Sequence, residues 1–158
     1  MRKLRYLAVI VLAANLLAVS VACSSSCSSK SATTVSATSL QKAAQAASAI
    51  ADACSLLTTT ETNLEQAKVI TPQTALAILH ARDGISASDQ AFIAILKQVE
   101  TGAQPLSVLN AAYQSVATAV TQLTGIVITD AKAQADIQVV LATIKSALAI
   151  IQTVSTGG

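Results

Sequence analysis

The sequence contains no tryptophan, one phenylalanine, two tyrosines and a single histidine among its 158 residues. Each scarcity removes a class of function. Three aromatic rings, Tyr6, Phe92 and Tyr113, cannot form a stacking platform for unpaired bases. Charged residues make up only 11% of the chain and are scattered singly, so no basic patch is available to neutralise phosphates. Nucleic acid is therefore not an expected partner. One histidine and three cysteines fall into no zinc-ligand spacing, and the chain has no Gly-rich phosphate loop, nucleophile elbow or EF-hand pattern. No cofactor, metal or small-molecule substrate is expected.

The isolated polar residues read as structural. His80-Ala81-Arg82-Asp83 is neither a triad nor a ligand spacing, and His80 is expected to cap or decorate the end of a helix, where the dipole favours imidazolium. Glu61 and Glu65 lie four residues apart and share a helix face, which without a further ligand reads as a solvated face. An enzyme is the weakest of the functional readings.

What the chain does have is aliphatic. Hydrophobic residues reach 53%, almost all Ala, Val, Ile and Leu, and the length suits one domain. Many small aliphatic contacts suit closely packed helices better than a deep ligand pocket. The formal net charge of +2 owes three of its cations to Arg2, Lys3 and Arg5; without them seven basic side chains face eight acidic ones.

Those three cations precede residues 6–19, which are apolar except for Asn15, and the small-residue run Ser20-Val21-Ala22-Cys23. A charged start, a short apolar helix and small residues at a cleavage point are the parts of a secretory signal. At 17 residues, the stretch 6–22 is at the lower limit for spanning a bilayer. Residues 1–22 are thus expected to be a signal peptide.

Ser20-Val21-Ala22-Cys23 resembles the lipobox of bacterial lipoproteins, in which a small residue precedes a cysteine that is acylated and becomes the new N-terminus. The class carries Leu or another aliphatic where this chain has Ser20, and Ser20 with Ala22 also satisfies ordinary signal peptidase. The resemblance is confined to the first 23 residues. It implies lipidation at Cys23 and attachment to a membrane through the lipid; Cys27, after Ser24-Ser25-Ser26, lacks an apolar lead-in. The Ser/Thr/Ala stretch over residues 23–38 has no apolar periodicity and is expected to be a flexible tether. Ser24 resembles the sorting pattern of outer-membrane lipoproteins in a Gram-negative cell.

From residue 39 to 158 the pattern predicts an all-α domain, a small antiparallel bundle of four to five helices. The first is expected over residues 39–68, with Leu40, Ala43, Ala47, Ile50, Cys54, Leu57 and Leu64 on one face and a weak patch at Thr58-Thr59-Thr60. Thr71-Pro72 starts a second helix over 72–83 with Leu76 and Leu79 inward, and Gly84 stops it. Ser86-Ala87-Ser88-Asp89 opens a third, with Asp89 in its first turn, Phe92, Ile95, Leu96 and Val99 on its apolar face, and Gly102 at its end. Pro105 begins a fourth whose stripe runs Leu109, Ala112, Tyr113, Val116, Val120, Leu123 and Val127. Thr129-Asp130 caps a last helix over 131–154 with a seam of Ile137, Val140, Leu141, Ile144, Leu148, Ile151 and Val154. Residues 124–129 are the one place where a short strand competes. A central Lys145 costs roughly 2.5–3.5 kcal/mol on insertion, which marks the last helix as core rather than membrane-spanning.

Cys54, on the apolar face of the first helix, is either a small buried hydrophobe or, in an exported protein, a disulfide partner of Cys27. The expected function is that of an exported, membrane-tethered, non-enzymatic module of the bacterial envelope, structural or engaged with an envelope protein. An exclusion lipoprotein of a phage or conjugative element and a carrier of lipid or apolar ligands are the alternatives.

Overall fold

The computed structural model describes residues 36–156, and within them every regular element is a helix. Four helices follow in order: α1 (Ala37–Gln66), α2 (Pro72–Glu100), α3 (Ser107–Thr124) and α4 (Ala131–Ser155). α1 packs on α2 and α4, and α3 packs on α2 and α4, so each helix touches two neighbours and none touches its diagonal. Short connections reverse the chain each time, giving an antiparallel four-helix bundle.

Local chemistry sets the ends. Ser36, Thr71 and Asp130 are extended N-caps whose side chains accept from the backbone N–H groups of Ser39, Thr74 and Ala133, and Pro72 occupies the first position of α2. α1 and α2 close in the same way. Lys68 N–H donates to the Glu65 carbonyl and Val69 N–H to the Leu64 carbonyl; Gly102 and Ala103 repeat this on Val99 and Gln98. Both are Schellman closures, which require a left-handed residue just past the helix. Gly102 takes φ +73° at no steric cost, whereas Lys68 takes φ +57° with a Cβ in place.

The expected break at Gly84 does not occur, and this is the main correction to the sequence reading. α2 runs unbroken through Gly84 and Ser86-Ala87-Ser88, because Ile78, Ala81, Ile85, Asp89, Phe92 and Leu96 form one continuous buried stripe. A helix-interior glycine costs about 1 kcal/mol, less than what is gained by keeping that stripe intact. The phase also moves Leu76 outward, leaving Leu79 half-buried and turning Ala75 and Ile78 inward. His80 is exposed but stands well inside α2, not at a helix end. α1 likewise continues through Thr58-Thr59-Thr60, where Thr58 and Thr59 hydroxyls donate to the Cys54 and Ser55 carbonyls one turn back.

α3 is much the shortest helix, and the chain beyond it completes the layer. Residues 126–129 form no regular element; Ile126 and Ile128 pack against the core while Val127 is exposed, so Val127 leaves the α3 stripe. Ile70, in the α1–α2 connection at the same end of the bundle, is also buried. α4 is long and apolar enough, by length and composition, to cross a membrane. In the bundle its predicted seam is buried at every position, and Lys145 lies on the exposed side.

Candidate functional site, a polar seam between α1 and α2

Among the described residues the core is aliphatic apart from Phe92, Cys54 and three buried polar residues, Glu61, Asp89 and Ser155. Ser155 closes α4 by donating to the Gln152 carbonyl. The two carboxylates are unexpected. Glu61 occupies the gap between Leu57 and Leu64 on the α1 stripe and is only 2% exposed, whereas Glu65 is fully on the surface, so the pair does not share a solvated face. Its Oε2 accepts a long contact from the Thr62 hydroxyl at 3.4 Å.

Asp89 is likewise 2% exposed, but without a partner: its Oδ1 is buried and accepts no hydrogen bond among the described residues. Expected in the first turn of a helix, it lies in the middle of α2, one helical turn from Ile85 and Phe92. Removal from water penalises the charged form, and burial pushes the carboxyl up to about 6.

Across the α1–α2 seam from Asp89 is Cys54, buried at 4% exposure. Burial, and next the negative field of Asp89, push its thiol up to about 11, against a smaller opposing pull from Arg82. Such a thiol is a poor nucleophile. Cys27, its possible disulfide partner, lies outside the described residues, as do Cys23, the signal segment and nearly all of the tether. Arg82 spends its Nη2 on Asp83, 3.1 Å away at the surface, and its Nε is buried without a partner. Beside these groups a cleft of about 350 Å³ is lined by Cys54, Ser55, Thr58, Thr59, Arg82 and Ser86. No group of three or more metal-ligating side chains occurs among the described residues.

A second feature runs along the outer face of α1 and α4. Lys42, Ala46, Ala49, Ala147 and Ile150 line a groove of about 680 Å³ towards the start of α1. Leu56, Asn63, Val69, Asp136 and Val139 line another of about 490 Å³ towards its end. Leu56, Val139 and Ile150 are among the few large apolar side chains left exposed. Leu56 and Val139 each stand off the apolar stripe of their own helix, so periodicity singles out neither. Comparison with protein-family models, with curated protein sequences and with solved structures gives no match to this chain.

Proposed function

We propose that this chain is an exported lipoprotein held to a membrane through acylated Cys23, and that its bundle is a non-enzymatic structural or interaction module of the bacterial envelope. The observation that carries the reading is the N-terminal succession. Three cations, an apolar run and Ser20-Val21-Ala22-Cys23 are followed by a hydroxyl-rich spacer, residues 24–35, before the Ser36 cap of α1. A lipid anchor needs such a spacer to hold a folded domain clear of the headgroups. The exposed apolar residues of the α1–α4 outer face support an interaction role, since a face of that kind suits a protein partner better than water.

The test is Cys23→Ala in the full chain, expressed in a bacterial cell with a labelled fatty acid. The parent is expected to take up label, gain the mass of a diacylglyceryl group and fractionate with membranes. Cys23→Ala is expected to lose the label and the mass gain, while Cys27→Ala keeps both. A parent that takes up no label, or label that persists in Cys23→Ala, overturns the proposal.

A further inference from the structure

The α1–α2 seam holds a carboxyl in the wrong surroundings for a charge. Asp89 sits in the apolar stripe of α2, its Oδ1 without a donor, and a hydroxyl-lined cleft on the same seam reaches Cys54, Arg82 and Ser86. The helices packed on α2 offer it no counter-charge. From α1 the titratable group facing it is the Cys54 thiol. α3 contains no Asp, Glu, Lys, Arg or His, and its one titratable side chain is the half-buried Tyr113. On α2 itself the nearby cation, Arg82, is engaged by Asp83 at the surface. α4, the diagonal helix, carries Lys132, Asp136 and Lys145, all exposed.

We propose that Asp89 is a proton-operated latch on this seam: protonated, it lies neutral in the closed core; ionised, it draws water in through the Cys54–Ser86 cleft and loosens α1 from α2. An ionised carboxylate cannot stay dry and unpaired, so it must either find a cation or be hydrated. The cleft lined by Cys54 and Ser86 opens on this seam and offers that water a route.

The sign follows from where the proton is held. The closed bundle binds the Asp89 proton more tightly than an unfolded chain does, with the carboxyl at about 6 instead of its ordinary 3.8. The stabilising effect of that proton is full below the ordinary value and is lost as pH rises through about 6. A displacement of that size corresponds to a change on the order of 100-fold in proton affinity, which bounds the rise in the open population.

Two measurements on the full chain test the latch. Carbon-13 NMR of the aspartate carboxyls is expected to show one group titrating between pH 5 and 7, absent in Asp89→Asn; titration of Asp89 near 4 overturns the proposal. Hydrogen exchange over residues 51–58 and 82–89, corrected for the intrinsic pH dependence, is expected to speed up several-fold, to a ceiling of about tenfold, between pH 5 and 7.5. Asp89→Asn and Asp89→Leu, neither of which can ionise, are expected to lack that rise. An equal rise in whichever of the two folds, or none in the parent, overturns it.

Discussion

Gly84 separates two pictures of α2 by the sign of one substitution. If the residue ended a helix in the left-handed region, Gly84→Ala would introduce a Cβ clash and destabilise by about 1 kcal/mol. In the continuous helix the same change removes a conformational penalty of about 0.5–1 kcal/mol from the helix interior. The new methyl meets little resistance. A Cβ at this position lies 3.8 Å from Gln122 Oε1 and 4.0 Å from Ala119 Cβ, both ordinary contact distances across the α2–α3 interface. The methyl should add a few tenths of a kcal/mol by burial against Ala119. A net stabilisation of about 1 kcal/mol is expected, which for a domain of this size raises Tm by about 3–5 °C. Thermal melts followed by circular dichroism at 222 nm, with urea titrations at constant m, measure it. Gly102→Ala is the internal contrast, because φ +73° admits an L-residue only with strain, so its Tm should fall by a similar amount. A lower Tm for Gly84→Ala refutes the unbroken α2, or shows that α3 approaches more closely than the 4.0 Å contact allows.

Two further substitutions probe the ends of the helices. Lys68→Gly relieves the left-handed strain at the close of α1, and because Lys68 is exposed with φ +57° nothing else is lost; a gain of about 0.5–1 kcal/mol in urea unfolding is expected. Asp130→Ala removes the cap in which Oδ1 accepts from the Ala133 N–H at 2.8 Å. It should cost about 1 kcal/mol, and a change below about 0.3 kcal/mol would mean that the cap contributes nothing.

The parts of the fold legible in the sequence were those where local and long-range signals agreed. The α4 seam from Ile137 to Val154 is buried as its spacing predicts, and so is the α3 stripe from Leu109 to Leu123 apart from the half-buried Tyr113. The Thr71 and Asp130 caps also stand where capping chemistry places them. The failures came where the two signals conflicted. Gly84 followed by Ser86-Ala87-Ser88-Asp89 reads locally as one helix stopping and another starting, while Ile78, Ala81, Ile85, Phe92 and Leu96 keep a single period across it. A local preference of about 1 kcal/mol cannot outweigh a row of buried aliphatics. The candidate site was lost to the same conflict. Acids favour a helix start, so the local signal puts Asp89 there, and Glu65 four residues on makes Glu61 read as half of a surface pair. In both cases the missed signal was a gap in an apolar stripe, filled by the acid.

The two buried carboxylates are distributed unevenly, and this bears on what the bundle does. α3 and α4 bury Leu109, Val116, Val120, Ile137, Leu141 and Ile144 without a charged group among them. The chain therefore has aliphatic side chains that fit a core position of this bundle, and replacing a buried polar group that lacks a partner with one generally stabilises. Glu61 and Asp89 fall on α1 and α2, so the two helices that meet at the Cys54 seam hold both. α1 also forms one wall of the outer groove with α4. Cys54, in the seam, and Leu56, exposed at the groove, are two residues apart on the same rigid helix. A movement of α1 that hydrates Asp89 must carry Leu56 with it and reshape the face proposed to meet a partner, so the proton state of one buried acid and the shape of the outer surface are linked through a single helix.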